Sequence, residues 1–388
     1  MTKKRTSKPA KRRGIPHHTK APVTLAEALE LAGVAEPNDM PRTARAAARR
    51  AKALPGQSRR ARRGRSDAPI DPPSIQTIES ERARFAAHRR SELQQRIRDY
   101  KATMRILKTR GVVAEPDNAR QPRPSTAATK RTAAAALAAR AVLRPLQVLA
   151  EGDSWFDYPR FFGGGIVRRL PGRIGVPVLS LANAGDEVRY MLGVEQRAEL
   201  EAHLRDGCPA GGPWDVLLFS GGGNDIVGDP MTLWVRDYAK GKTAAELLHG
   251  ARFDTALALV RAGYEDLITL RDRVSPTTHL VFHTYDFAIP DGRGVCGKGP
   301  WLRPTFVARG YPDTDLRFQV VQEMLKRFAT LLKSLARAGS ITVIDGQGLL
   351  PPGTGSWHNE LHPSKRGYMA FADRFRDELR RLFPDRLP

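Results

Sequence analysis

Glu151-Gly152-Asp153-Ser154-Trp155 follows the apolar run Leu146-Gln147-Val148-Leu149-Ala150. That run reads as a short buried strand. The glycine and the small polar residues after it mark the turn where the strand ends. A serine at that point is presented at the edge of a sheet, where a substrate can reach its hydroxyl. Serines at strand ends commonly do no more than satisfy turn backbone, so the remainder of the chain has to supply a reason to read Ser154 otherwise.

Downstream, apolar strand-like runs alternate with amphipathic helical stretches. Strands are expected at 146–151, 176–182, 215–220, 279–285 and 341–345, and helices near 187–205, 243–273, 314–338 and 366–383. This alternation predicts an α/β fold with a parallel sheet covered on both faces. Ligands of such sheets bind beyond the carboxyl ends of the strands. Three further segments fall there. Asn183-Ala184-Gly185-Asp186 follows the second strand, and its glycine allows the backbone N–H to approach a substrate oxygen. Gly221-Gly222-Gly223-Asn224-Asp225 follows the third, with the Asn224 amide as a second donor. Trp357-His358-Asn359-Glu360-Leu361-His362-Pro363 follows the fifth, and His362 stands in a loop suited to reach Ser154. A nucleophile, a base and oxyanion donors are the parts that serine-based ester hydrolysis requires.

Gly-Asp-Ser, then Asn-x-Gly-Asp, then Gly-x-Asn-Asp, then His-Pro near the C-terminus resembles the block order of the SGNH (GDSL-type) hydrolase superfamily. The resemblance covers about residues 146–385. It implies a flavodoxin-like three-layer α/β/α sandwich with five parallel strands. It further implies an esterase, lipase or deacetylase acting on an acyl ester through an acyl-enzyme, without metal or organic cofactor. Ser154 would be the nucleophile, His362 the base, and Gly185 and Asn224 the oxyanion donors with the N–H of Ser154. One position departs from the pattern. The family usually has Asp three residues before the histidine, and here that residue is Asn359. An amide accepts a hydrogen bond from the imidazole but carries no charge to stabilise imidazolium. Asn359 can orient His362 as a weaker third member, or Glu360 or Asp345 can take the role, or the enzyme is slow or inactive.

Other residues invite weaker readings. Asp153 reads as a hydrogen-bonding member of the turn. His283-Thr284-Tyr285-Asp286 ends the fourth strand and either lines a pocket or forms a satisfied polar cluster. His358 and His362 are four apart, yet Asn359 follows the first and Pro363 the second, which does not fit a zinc-binding HExxH helix. Gly292-Arg293-Gly294-Val295-Cys296-Gly297 spells GxGxxG but has no helix behind it, so it reads as part of a long loop, about 287–313, bearing Trp301 and Phe306 and suited to a lid.

The first 150 residues differ from the rest. They hold 34 of the 64 Lys+Arg and 12 of the 41 Asp+Glu, so nearly all of the net charge of +23 lies there. Residues 1–77 read as basic, low in complexity and largely disordered, apart from a possible short helix at Leu25–Ala32. A helix is expected from about Thr77, as N-cap, to Arg110 (domain limits 78–112). Residues 113–144 read as a linker and 145–388 as the hydrolase-like domain. Basic clusters in residues 1–110 without interleaved aromatics suit contact with a polyanion, either nucleic acid or anionic lipid, and equally suit a solvated, disordered extension with no partner. The alternative function is therefore a polyanion-binding protein with a degenerate hydrolase-like half. Cys208 and Cys296 do not make a disulfide framework. A charged N-terminus without an apolar stretch after it argues against a Sec signal, and a cytoplasmic location is the default expectation, with signal-less export the other route.

Overall fold

The computed structural model describes residues 75–110 (side chains from 87 to 109), 144–159, 162, 164–295, 299–352 and 355–387. The expectations for residues 1–74, including the short helix at 25–32, and for the linker up to 143 lie outside the described residues. Five short strands form one sheet: β1 (Val148–Gly152), β2 (Val178–Ser180), β3 (Val216–Ser220), β4 (His279–His283) and β5 (Ile341–Ile344). The spatial order is β2-β1-β3-β4-β5 and every pairing is parallel. This is the flavodoxin-like doubly wound order, and the chain reverses its winding direction at β1 and β3. β1 and β3 are buried along their whole length, which explains why Val148–Ala150 and Val216–Phe219 are apolar runs and not alternating ones, with Glu151 the buried charged-type exception in β1. Gly152 is required by that packing: a Cβ there would lie 2.7 Å from the backbone oxygen of Ser220.

Eight helices surround the sheet among the described residues: α1 (Ile75–Arg110), α2 (Pro171–Ile174), α3 (Val188–Met191), α4 (Val194–Asp206), α5 (Gly250–Val274), α6 (Arg303–Ala308), α7 (Thr314–Ser334) and α8 (Lys365–Leu382). α8 buries Tyr368, Phe371, Ala372, Phe375 and Leu379, spaced three and four apart, and is capped by the Ser364 hydroxyl accepting from the Gly367 N–H. The cap matters for position, because it fixes where the chain leaves the His362 loop and enters the helix.

Several boundaries differ from expectation. The stretch 187–205 is two helices, because Gly193 adopts an extended backbone between them. The helix expected from 243 begins at Gly250. Before it, Glu246 closes a turn by accepting from the Thr243 N–H and hydroxyl, and Val235 bridges Leu248. The first helix is already formed at Ile75, so Thr77 lies within its first turn and is not an N-cap. β2 is short, although Leu181 and Asn183 continue to donate to the carbonyls of Ala150 and Gly152.

α1 lies along β2, the edge of the sheet. Tyr100, Met104 and Leu107 are buried in the same apolar cluster as the strands. Arg96 donates to the backbone oxygens of Ser180 and Ala182 and pairs with Asp157 at 3.0 Å. A guanidinium thus takes the carbonyls that an edge strand otherwise exposes. No described helix is long and apolar enough to cross a membrane.

Candidate active site

Ser154 is the second residue after β1, and its turn is held by Asp153. The Asp153 carboxylate accepts from the Trp155 N–H (3.0 Å), the Ser220 hydroxyl (2.8 Å) and the Tyr285 hydroxyl (2.5 Å). Both of its oxygens are thereby used, in agreement with the reading of Asp153 as part of the turn. Burial pushes its carboxyl up to about 6, against the pull of those donors. Behind it, burial holds the His283 ring down to about 4, so this imidazole, stacked on Phe156, is a neutral core residue at pH 7.

The Ser154 Oγ stands 2.8 Å from His362 Nε2, across 208 residues of sequence. Both residues are largely buried, 8% and 6% exposed, yet both line an open pocket. Burial, followed by the neighbouring His358, lowers the His362 ring to about 3. It is therefore neutral at ordinary pH and free to accept a proton. Its other nitrogen, Nδ1, lies 2.9 Å from Asn359 Oδ1. That oxygen also accepts from the N–H groups of Leu361 (3.0 Å) and His362 (2.9 Å). Since Oδ1 can only accept, the ring carries its proton on Nδ1 and offers a lone pair at Nε2 to the serine hydroxyl.

The other two carboxylates considered for the third position are elsewhere. Glu360 is fully buried and points away from the ring, taking the backbone N–H groups of Gly292, Trp301, Leu302 and Arg303 at 2.6–3.0 Å. Asp345 pairs with Lys333 and accepts from Thr284. Glu360 has instead a structural use. It anchors Gly292 and residues 301–303, and the expected lid loop is partly helical (α6), with Leu302 and Phe306 buried and the Trp301 ring 5.7 Å from that of His362. Residues 296–298, with Cys296, lie outside the described residues.

Asn224 starts a 3-10 turn after β3 and lines the pocket with Ser154 and His362. Its Nδ2 donates to the Asp186 carbonyl at 2.8 Å, tying the β3 turn to the Asn183–Asp186 turn. Gly185 in that turn has a φ of +92°, which needs glycine, but it is not among the residues lining the pocket. The pocket encloses about 520 Å³, including space open to solvent. Its wall is mostly apolar: Ile226, Val227, Leu302, Val321, Met324 and Leu325 stand around the serine. Tyr285 and Asp286 also line it, while His283 lies behind. Asp286 is committed to the N–H groups of Phe287, Gly348 and Leu350.

Sequence reasoning missed Tyr158 and the α7 side chains. The Tyr158 hydroxyl lies 3.1 Å from Asn359 Nδ2 and 2.8 Å from His358 Nδ1, and its ring stacks on His362 at 4.2 Å. Nothing in the sequence separates it from a core tyrosine. Val321, Met324 and Leu325 have the helical spacing of any buried face.

A family model described as GDSL-like Lipase/Acylhydrolase family matches residues 149–370. Solved structures similar to the chain include a lipase from a goat rumen metagenome (19% identity, 60% of this chain and 96% of that one, TM-score 0.39). An extracellular lipase from Streptomyces rimosus is similar at 17% identity (60% and 99%, TM-score 0.37). A phospholipase A1 from Streptomyces albidoflavus is similar at 16% (59% and 98%, TM-score 0.37). No curated protein matches the chain. The matched segment takes in more than half of the chain and holds Ser154, Gly185, Asn224, Asn359 and His362, and the chain belongs to the GDSL-like lipase/acylhydrolase family, as an ester hydrolase.

Proposed function

We propose that the chain cleaves an acyl ester by nucleophilic catalysis at Ser154. The observation that carries this reading is the 2.8 Å contact between the Ser154 Oγ and a neutral His362 whose far nitrogen is held by Asn359. As Oγ bonds to the carbonyl carbon, its proton passes to His362 Nε2. The carbonyl oxygen becomes an oxyanion, for which the N–H groups of Ser154 and Gly185 and the Asn224 amide are the proposed donors. The imidazolium then gives its proton to the departing alkoxide oxygen as the ester C–O bond breaks. Water attacks the acyl-enzyme by the same route, with His362 taking and returning the proton. The apolar wall from Leu302, just before α6, and from α7 suits the hydrocarbon part of the ester.

A fluorophosphonate probe and p-nitrophenyl acetate test the assignment. Wild type should be labelled at Ser154 and release p-nitrophenol, and Ser154→Ala should do neither while keeping its melting temperature. Wild-type turnover by Ser154→Ala would refute it. For the basic front, the concentration of charge in the first 150 residues supports contact with a polyanion. Full-length chain should then bind heparin or anionic vesicles with an affinity that falls steeply between low and moderate salt, and salt-independent or absent binding would remove that role.

A further inference from the structure

Asn359 occupies the place where a charged residue is usual, and its usefulness depends on which end of its amide faces the histidine. The two ends are nearly equal in shape, so their hydrogen-bond partners decide the orientation. With Oδ1 toward the ring, His362 keeps its proton on Nδ1 and Nε2 is a base. With Nδ2 toward the ring, Nδ1 would have to be the acceptor, the proton would sit on Nε2, and Ser154 would face a donor in place of a base.

Two backbone N–H groups, of Leu361 and His362, favour Oδ1 on the ring side. On the opposite side the buried Nδ2 needs an acceptor, and the Tyr158 hydroxyl is 3.1 Å away. A hydroxyl can also donate, and a proton aimed at Asn359 would repel the amide hydrogens. His358 offers a way out: its Nδ1 lies 2.8 Å from the same hydroxyl and, in the Nε2–H tautomer, accepts the phenolic hydrogen bond, which leaves a hydroxyl lone pair toward Asn359. The Tyr158 ring, only 3% exposed, stacks on the His362 ring at 22°, which holds the hydroxyl in line.

We propose that Tyr158 is a positioning residue for the ester hydrolysis. In a chain of hydrogen bonds from His358 through Tyr158 and Asn359 to His362, it keeps the Asn359 amide oxygen on the imidazole and so keeps His362 in the tautomer that can deprotonate Ser154. The proposal rests on the Ser154–His362 reading above.

Tyr158→Phe keeps the ring stack and removes only the hydroxyl. Measured on full-length enzyme with p-nitrophenyl acetate, kcat should fall about tenfold while KM stays within about twofold. In 15N spectra of the imidazole, the single Nδ1–H form of His362 in wild type should become a mixture of tautomers in the variant. In an Asn359→Asp background the same loss should change kcat by no more than about threefold, since a carboxylate has no wrong end. An unchanged kcat, or an equal fall in both backgrounds, would overturn the proposal in favour of simple packing. If Tyr158→Phe does not fold, the wild-type spectrum decides: Nδ1–H supports the proposal and Nε2–H overturns it. Failure of the wild type to react with a fluorophosphonate would sink the Ser154–His362 reading itself. A reactive wild type with an unimpaired Tyr158→Phe sinks only the tyrosine's role.

Discussion

Asn359→Asp places a charge beside an imidazole whose Nδ1 meets a neutral amide oxygen, and the geometry allows its effect to be worked out. Asn359 Oδ1 and His362 Nδ1 are 2.9 Å apart, and with both charges delocalised their centres would lie roughly 4 Å apart. At the effective dielectric suited to protein sites, unit charges at that separation attract by about 4 kcal/mol. That corresponds to about three pKa units on the ring. The ring, held down to about 3 by burial, would rise to about 6 in the variant, by the same conversion. The carboxylate would itself be buried, which costs part of the gain. The Leu361 and His362 N–H groups already aimed at this oxygen offset some of that cost. If about half the attraction survives in the transition state, where His362 is protonated, acylation should accelerate by roughly ten- to a hundredfold.

The sign of the pH effect is fixed by the role of the ring. A general base works only when neutral, so rate falls as pH drops through its pKa. Raising that pKa moves the acid limb of the profile upward, from about 3 toward about 6. Pre-steady-state release of p-nitrophenol from pH 4 to 9, with melting temperatures measured alongside, reads both effects. The plateau should rise, and the variant should lose activity between pH 7 and 5 where wild type does not. A plateau that stays level or falls in a folded variant, with the limb unmoved, would refute the assignment of Asn359 as the neutral third member.

Other expectations follow from particular contacts. Asn224→Ala removes the proposed oxyanion amide and the tether to the Asp186 carbonyl, and should lower kcat by about a hundredfold to a thousandfold; a loss under tenfold in single turnover would exclude the donor role. Glu360→Ala leaves four backbone N–H groups without their acceptor, and should cost at least about 3 kcal/mol. For a domain of this size that is a fall in Tm of roughly 6–12 °C, readable by calorimetry, and an unchanged Tm would contradict the anchoring role. Glu151, buried on β1, has its carboxyl pushed up to about 8 by burial, so the folded state holds a proton that the unfolded chain has released. The stability this contributes is present below about 4.5 and is lost as pH rises toward about 8. Glu151→Gln should therefore gain Tm relative to wild type between pH 5 and 8; parallel Tm curves would sink that account.

The succession of strands along the chain and the four turn segments that follow them were legible in the sequence, because each depends on local chemistry, whereas the spatial order of the strands came from the tertiary structure. Buried parallel strands must be continuous apolar runs, and the turns after them need Gly, Ser, Asn and Asp. So Ser154, Asn224 and His362 could be named as candidates from the sequence, together with Asn359 in a place where a carboxylate is usual. What Asn359 does could not be settled there. Glu360 and Asp345 were equally available by position along the chain, and only tertiary contacts show that four backbone N–H groups occupy Glu360, Lys333 occupies Asp345, and Asn359 faces the ring.

The same limit applied to α1 and Tyr158. A long, charge-rich helix with sparse apolar positions reads as a free-standing element, and its docking depends on the edge of β2, which lies some eighty residues further along the chain. The Tyr158 hydroxyl acquires its importance from His358 and Asn359, two hundred residues away. Residue type and period act over a turn or two of chain and determine elements and their ends. The direction of a proton in a buried hydrogen bond depends on which atoms folding brings within about 3 Å, and that was decided by the tertiary structure alone.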